Sequence, residues 1–257
     1  METTEPAEQL LTTPAIPPTV NRDLLGKLQA TPYVYIRENL CLGCCTSSFS
    51  VYTAGMVVQN YGELSELLYT VKDENCFDVC IPSCARLVFY SPDNTQQVWF
   101  TYPDCCETCF LCKLCKCDCK DCCKCDCKDC CKCGCPEMCY RYSPPLIGYY
   151  GNTKDVRVGQ VRRQYFCVPF CFPPTWTIYN KSDEETLKVK LSCYDNINPC
   201  SRFCKIFFDI YRGEQMLGQL SRSPKCLCSG YTYEIQFPTD TTVEDRLMMI
   251  ALCCKAP

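Results

Sequence analysis

The sequence predicts a mainly β fold, an antiparallel barrel or sandwich with one helix at its C-terminal end. Short runs rich in Val, Tyr, Phe and Thr recur along the 257 residues, with Gly, Asn, Asp and Pro between them. Asn60, Cys80 and Cys84 recur at an offset of 120 as Asn180, Cys200 and Cys204, which indicates two related halves. Residues 242–254 change to an apolar stretch that opens with a helix-capping signal.

The composition excludes several classes of site. The chain has no histidine, which removes Ser-His-Asp triads, Cys–His dyads and histidine metal sites. Its 26 basic and 29 acidic residues give a net charge of −3, so nucleic acid is not predicted as a partner. The sequence contains no Gly-rich phosphate loop and no nucleophile motif, and we predict that the protein is not an enzyme.

Residues 1–32 are predicted to be a disordered, proline-containing arm, because Pro6 and the PAIPP run at 14–18 break helices. The PAIPP run is a candidate ligand for a proline-reading domain, and a solvated tail is the alternative. The first twenty residues lack the basic and apolar regions of a signal peptide, so we expect a reduced, cytosolic chain.

Two stretches of β pattern follow the arm. Between Tyr33 and Pro103 the predicted strands are YVYIREN, SFSVYTAG, MVVQNYG, LLYTVKDEN, ARLVFYSPDN and QQVWFTYPD. Between Tyr140 and Phe237 they are VRVGQVRRQY, TWTIYN, TLKVKLSCYD, CKIFFDIYRG, QMLGQLSR and YTYEIQFP. The turn formers in YSPDN predict a hairpin between two of these strands.

A cysteine-rich block at 105–139 separates the two stretches. It contains 16 of the chain's 31 cysteines, and the octad KCDCKDCC occurs at 116–123 and again at 124–131. Such a sequence cannot pack into an apolar core, so we predict a disordered insertion that projects from the fold.

The last predicted element is a helix over 242–254. Thr242 is its candidate N-cap, and Glu244 and Asp245 give it an acidic first turn. At about 1.5 Å per residue the helix is roughly 18 Å long, which is too short to cross a bilayer.

The segment EIQFP at 234–238, followed by Asp240 and the apolar helix, resembles the end of the phospholipid scramblase family. GQLSR at 218–222, TWTIYN at 175–180 and the ENCFDVCIPSC turn at 74–84 have counterparts there in similar order. The resemblance covers about residues 33–252 and includes a cysteine-dense segment between two halves, although the octad repeat is an expansion.

The resemblance implies a closed antiparallel barrel of about twelve strands, similar to the Tubby C-terminal domain, around a central apolar helix. We therefore expect residues 33–257 to form one barrel domain that includes the 105–139 insert and the 242–254 helix. A helix as apolar as LMMIALCC fits burial on all sides.

The resemblance also implies a function, the ATP-independent, bidirectional movement of phospholipids across a bilayer, triggered by calcium in the family. The implied partner is a phospholipid membrane, at the cytoplasmic face of the plasma membrane when the chain is acylated and in the cytoplasm or nucleus otherwise. Two alternatives stay open. One is a membrane-tethered lipid-binding or interaction module without transport, and the other is a thiolate metal-binding protein.

The family's cysteine run is S-palmitoylated, and exposed adjacent thiols on a flexible segment suit that modification. The interleaved lysines add attraction to anionic headgroups, which the equal number of acids largely cancels. The resemblance makes these residues palmitoylation candidates: Cys105, Cys106, Cys109, Cys122, Cys123, Cys130 and Cys131.

A thiolate metal cluster is the alternative for the same block. Cys-x-Cys spacing recurs as in metallothioneins, tetrahedral thiolate sites favour zinc, and soft thiolates favour copper(I). The candidate ligands are Cys115, Cys117, Cys119, Cys123, Cys125, Cys127, Cys131, Cys133 and Cys135. An expanded repeat without chemistry is the third reading.

The family carries a twelve-residue calcium loop ahead of its helix. Alignment on IQFP places Ser229 at its first position and Asp240 at its last, with Glu234 as a further ligand. Calcium prefers several carboxylate ligands, and Ser229 and Tyr231 stand where the family has acids. The alternative is a strand-to-helix turn capped by Asp240 or Thr242.

Other basic and aromatic residues complete the candidate set. Arg162 and Arg163, with Arg157 and Lys154, form a basic group that could meet lipid phosphate, and a solvated strand face is the alternative. Trp99 occupies a strand position that predicts a place in the core.

Overall fold

A computed structural model describes residues 15–40, 47–53, 66–74, 86–102, 145–164, 175–192, 205–224 and 230–255. Within these residues, twelve strands lie between two helices. In chain order the elements are α1 (Arg22–Ala30), β1 (Tyr33–Leu40), β2 (Ser47–Thr53), β3 (Glu66–Asp73), β4 (Arg86–Tyr90), β5 (Gln96–Thr101), β6 (Leu146–Tyr150), β7 (Arg157–Gln164), β8 (Thr175–Asn180), β9 (Glu185–Leu191), β10 (Ile206–Arg212), β11 (Gln215–Pro224), β12 (Tyr231–Gln236) and α2 (Val243–Lys255).

The twelve strands form a closed antiparallel barrel. Each strand pairs with its neighbours in the sequence, and β1 closes the barrel by pairing with β12, where Ile36 lies opposite Tyr233. The predicted fold class, a mainly β chain with a twelve-strand barrel and a C-terminal helix, is confirmed. The offset of 120 residues also corresponds to the strands, because LVFY lies in β4 and IFF in β10, each the fourth strand of its half.

Alternation along the strands separates an apolar lumen from a polar outer face. Val71 pairs with Phe89, and Phe89 pairs with Val98, so fully buried side chains follow one another around the inside. Lys72 and Arg162 fall on the alternate positions and are exposed. The strand pattern that predicts β structure is therefore also the pattern that fills the barrel.

Helix α2 occupies this lumen. Its residues from Asp245 to Cys254 are all buried. Contacts reach it from several sides of the barrel: Tyr150 of β6 donates to Glu244 at 3.0 Å, Thr186 of β9 donates to Asp245 at 2.6 Å, and Lys255 pairs with Asp73 of β3. The helix is a core element around which the strands close.

The start of α2 is fixed by a reciprocal cap. The Thr242 hydroxyl accepts from the backbone N–H of Asp245 at 3.2 Å, and the Asp245 carboxylate accepts from the N–H of Thr242 at 3.2 Å. Thr242 therefore caps the helix as predicted. Asp245 is buried although it is acidic, and its hydrogen bonds to Thr242 and Thr186 satisfy it.

The prediction of an unstructured arm over 1–32 is wrong for residues 15–32. Helix α1 begins after Asn21, whose side chain accepts from the N–H groups of Asp23 and Leu24, and Leu24, Leu25 and Leu28 are buried against the core. The apolar spacing on this helix outweighs the prolines, because Pro6 and the PAIPP run precede the helix and Pro32 follows it. Residues 1–14 lie outside the part of the chain that the structure describes.

One strand of the barrel has no counterpart among the predicted strands, and two predicted segments lie outside the described residues. Strand β6 was not predicted, since LIGYY is short and contains Gly148. Glycine is needed there because a Cβ at position 148 would lie 2.5 Å from the ring of Phe100. The predicted strand MVVQNYG at 56–62 and the predicted insert at 105–139 lie outside the described residues.

Candidate functional site

The barrel has two different ends. Strands β1, β3, β5, β7, β9 and β11 all run toward one end, and α2 also finishes there with Lys255 beside Asp73. We call this end the cysteine rim and define it by these strand ends: Leu40, Ser47, Asp73, Arg86, Thr101, Leu146, Gln164, Thr175, Leu191, Ile206, Pro224 and Tyr231. The other end, the opposite rim, carries short turns such as 91–95 and 181–184 and is closed by α1.

The cysteine-containing segments of the chain are attached to the barrel at the cysteine rim. Cys253 and Cys254 end α2, and the other 29 of the 31 lie in the six segments that connect strands at this rim. The antiparallel order requires this, because each of these segments starts and finishes at the same end of the barrel. All the candidate acylation and metal-binding cysteines between Cys105 and Cys135 lie in one such segment, outside the described residues.

The two cysteines of α2 are of a different kind. Cys253 is 2% exposed and Cys254 is 9% exposed, and both thiols are free. Burial raises the pKa of Cys253 and of Cys254 above the ordinary thiol value, because a buried thiolate loses its hydration. Both groups are therefore held as neutral thiols.

We expect Cys253 and Cys254 to stay unmodified when the folded protein is treated with iodoacetamide at pH 8, and to react fully in denaturant. The raised thiol pKa and the burial within the barrel both suppress thiolate attack. Peptide mapping by mass spectrometry separates these two thiols from the others. Labelling of the folded protein at Cys253 as fast as in denaturant would contradict the buried position of α2.

A small cavity lies between the last turn of α2 and strands β8 to β12. Its volume is about 20 Å³, which holds one water molecule but not an acyl chain. It is lined by Trp176, Val189, Phe208, Leu220, Arg222, Tyr233, Leu252 and Cys253. Within the described residues, α2 fills the part of the lumen beside this cavity.

Basic side chains near the cysteine rim stack on aromatic rings. The distances from the cationic group to the ring centre lie between 4.4 and 5.6 Å, the range of cation–π contacts. The pairs are Lys72 over Tyr90, Arg86 over Trp99, Arg162 over Tyr179, Arg163 over Trp176, Lys190 over Tyr211 and Arg222 over Tyr231.

Arg162 and Arg163 belong to the basic group that the sequence predicts, but the sequence does not indicate the aromatic rings on which they stack. The predicted basic group divides between the two ends: Arg162 and Arg163 lie at the cysteine rim, while Lys154 and Arg157 lie at the opposite rim, where Arg157 pairs with Asp183 at 2.8 Å. Trp99 is buried as predicted, by Arg86 above it and by Tyr149 stacked at 5.1 Å. The alternation of side chains within a strand indicates which basic residues lie on the outer face. The aromatic ring that each one contacts on a neighbouring strand depends on the register between the two strands, which the sequence does not give.

The structure does not bring the candidate calcium ligands together. Glu234 lies on β12, accepts from Lys205 at 2.6 Å and from Ser221 at 3.1 Å, and Asp240 pairs with Arg212 beyond the far end of that strand. Ser229 lies outside the described residues. Within the described part of the chain, no three Cys, Asp or Glu side chains form a metal-ligand group. Calcium binding stays a prediction of the resemblance.

Part of the predicted proline-reading segment rests on the barrel. Ile16 is partly buried against the core, and Pro17 lies beside Gly151 in the β6–β7 turn. Pro18 is exposed, and Pro14 lies outside the described residues. A proline-reading domain at 14–18 would have to displace the contacts of Ile16 and Pro17.

Among the described helices, none has the length and apolar character needed to cross a membrane. Comparison of the chain with protein-family models, with curated proteins and with solved structures gave no match.

Proposed function

We propose that this protein is a phospholipid scramblase-like barrel that works at a bilayer surface, attached through acylated cysteines of its cysteine rim. One observation carries the proposal: 29 of the 31 cysteines lie in segments whose flanking strand ends are all at the same end of the barrel. Because these segments are all attached to the barrel at that end, acyl chains added within them are compatible with a single orientation on the bilayer. The resemblance of EIQFP and its following helix to the scramblase family supports the same conclusion.

Acylation of several thiols is energetically sufficient for attachment. Each buried CH₂ contributes about 0.8 kcal/mol, and stable anchoring requires two chains or one chain with a basic patch. The adjacent pairs Cys105–Cys106, Cys122–Cys123 and Cys130–Cys131 supply more than two sites in one segment. This implies a location at the cytoplasmic face of the plasma membrane, with cytoplasm or nucleus for the unmodified chain.

The filled lumen bears on how lipid movement would occur. Helix α2 is buried from Asp245 to Cys254, and the cavity beside it holds about 20 Å³. A lipid headgroup therefore has no route through the barrel of this structure, and a scramblase of this kind would act on the bilayer from outside its lumen. The same observation favours a second candidate, a membrane-tethered lipid-binding or interaction module without transport.

Acylation is tested by the intact mass of the protein from eukaryotic cells, before and after hydroxylamine, with metal content measured on the same sample. We expect a loss of one palmitoyl mass per modified thiol, mapped to 105–139. A variant with all 16 cysteines of that block changed to Ser should leave the membrane fraction in a high-salt wash, which removes binding through charge, whereas Cys226→Ser with Cys228→Ser should not. No hydroxylamine-sensitive mass, together with several zinc or copper ions per chain, would support the thiolate metal-binding alternative instead.

Transport is tested separately with vesicles that carry a fluorescent phospholipid on both leaflets. The acylated protein is added with and without calcium, and dithionite reports the fraction of label that reaches the outer leaflet. Loss of protection supports the scramblase-like function, while binding without loss of protection supports the tethered module. An unchanged calcium response in Asp240→Ala would exclude Asp240 as the calcium ligand.

A further inference from the structure

The charges of this chain are separated along the barrel axis. The four strand residues nearest the cysteine rim, the described residues just beyond them and the last turn of α2 carry ten Lys or Arg and five Asp or Glu. The other described residues carry seven basic and eleven acidic groups. A chain with a net charge of −3 therefore has a basic end, and that end is the cysteine rim.

The residues outside the described ranges do not cancel this separation. The undescribed parts of the six segments that connect strands at the cysteine rim contain nine basic and nine acidic residues. The remaining such residues, at 1–14, 54–65 and 256–257, contain four acids and no base. Among the described residues, the cysteine-rim half therefore carries a net charge of about +5 and the other half about −4.

Among the described residues, cations of the cysteine rim are held in two ways: Lys188, Lys205 and Lys255 pair with acidic side chains, and others lie over aromatic rings. At the opposite rim, Lys27, Arg157 and Arg212 form ion pairs with Glu66, Asp183 and Asp240. Near the cysteine rim, five cations lie over aromatic rings: Lys72, Arg86, Arg162, Lys190 and Arg222. A ring orients a cation but carries no net charge, so the positive potential at this end persists.

We infer that the cysteine rim itself binds anionic phospholipid bilayers, by charge and independently of acylation. The inference rests on the proposed function, which already turns this rim toward a bilayer, and it adds the kind of lipid that the protein prefers. Basic residues at a protein surface are attracted to phosphatidylserine-type headgroups within about one Debye length, roughly 8 Å at physiological salt. The basic charge and the acylated cysteines therefore both favour an orientation in which the cysteine rim faces the bilayer.

The acidic remainder of the chain does not prevent this binding. Strands of six to eight residues at about 3.3 Å per residue place the opposite rim roughly 20 Å from a surface that touches the cysteine rim. That distance is more than two Debye lengths, so repulsion of the acidic end is largely screened. The net electrostatic interaction between the protein and an anionic bilayer is therefore attractive when the cysteine rim faces the bilayer.

The test uses the full-length chain from a bacterial host, reduced and without acyl groups, in sedimentation with two kinds of vesicle. One is phosphatidylcholine alone, and the other includes a minority of phosphatidylserine. We expect binding to the second only, and binding that weakens as salt is raised. Equal binding to both, or tighter binding to a nucleic acid at the same salt, would overturn the inference.

Charge reversal locates the surface. Lys72→Glu with Arg162→Glu changes two exposed cations of the cysteine rim, and Lys154→Glu with Lys181→Glu changes two exposed cations of the opposite rim by the same total charge. Since each basic residue near an anionic surface is worth about five-fold in affinity, we expect at least a ten-fold loss for the first pair and less than two-fold for the second. Equal losses would contradict binding through the cysteine rim.

The proposal of an acyl anchor and the inference of binding by charge can each be contradicted without the other. Unacylated protein that ignores anionic vesicles, while acylated protein stays on membranes, removes only the inference about charge. Binding of unacylated protein with no acylation in cells removes the acyl anchor and leaves the basic surface. Where the reversed pair lowers the unfolding temperature, Lys72→Gln with Arg162→Gln replaces it, and the expected loss is then about half as large on a logarithmic scale.

Discussion

Gly159→Ala is expected to lower the free energy of unfolding by roughly 3 kcal/mol, since overpacking against parts that cannot move costs 1–3 kcal/mol or more. Gly159 lies on β7 where the strand passes closest to α2. A Cβ there would lie 2.6 Å from the Met248 sulfur and in collision with the Tyr179 carbonyl oxygen. The sulfur can shift, but the carbonyl oxygen belongs to the neighbouring strand β8. Chemical denaturation followed by circular dichroism measures the loss.

Gly26→Ala is the matched control for that substitution. Gly26 is exposed on α1, and a Cβ there meets nothing within 4 Å. Alanine is a better helix former than glycine, so this change should raise the free energy of unfolding by about 0.5–1 kcal/mol. If both variants shifted stability in the same direction by the same amount, the close approach of β7 to α2 would be refuted.

Arg246→Ala is expected to release α1 from the barrel and to cost roughly 3 kcal/mol, because charged hydrogen bonds are lost and buried carbonyl groups are left without a donor. Arg246 is 3% exposed, and its guanidinium donates to the carbonyl oxygens of Leu28 and Thr31, both at 2.7 Å. Burial lowers the pKa of Arg246, so these acceptors are what make the buried charge tolerable. Limited proteolysis should cut the variant within 15–32 well before the wild type.

Arg212→Ala provides the comparison for Arg246. Arg212 pairs with Asp240, and both side chains are about half exposed, so the change should alter stability by less than about 0.5 kcal/mol. Arg246→Lys keeps the charge but has one donor group in place of a fork, and its stability should fall between wild type and Arg246→Ala. Equal protease resistance of Arg246→Ala and wild type would show that α1 is held by its leucines alone.

The strands were the part of the fold that the sequence could predict. Eleven of the twelve strands coincide with predicted runs, because alternation of Val, Tyr and Phe with polar residues is a local signal. The cap of α2 was equally local, since Thr242 and Asp245 stand three positions apart. Closure of the sheet came only from the family resemblance, because a barrel and a sandwich have the same alternation.

Helix α1 and strand β6 were missed for different reasons. The signals for α1 were present, an Asn21 cap followed by Leu24, Leu25 and Leu28, but the prolines before them dominated the interpretation. Strand β6 carries Gly148, which lowers strand propensity and is required only by the ring of Phe100, its partner on the neighbouring strand β5. That requirement is tertiary, so no local pattern could have indicated it.

The attachment of all the cysteine segments to one end of the barrel could not be predicted from the sequence. Each cysteine segment was visible, but the fact that all of them share one end depends on counting strands and knowing that each connection reverses direction. The missing β6 alone would have put the segments after 145 at the wrong end. The charge separation depends on the same order, since Lys72 and Lys190 are distant in the chain and lie at one rim only through the barrel.

The pairing of β1 with β12 has a consequence for biosynthesis. The first strand of the barrel finds its last partner only after nearly the whole chain has left the ribosome, and the core helix α2 emerges later still. Contacts between such remote parts of a chain make folding slow, because the entropy of closing the loop is lost before they form. A nascent chain therefore has strands with open edges and no core for most of its synthesis. We expect chaperone dependence during translation, and a steep loss of yield when residues from α2 are deleted.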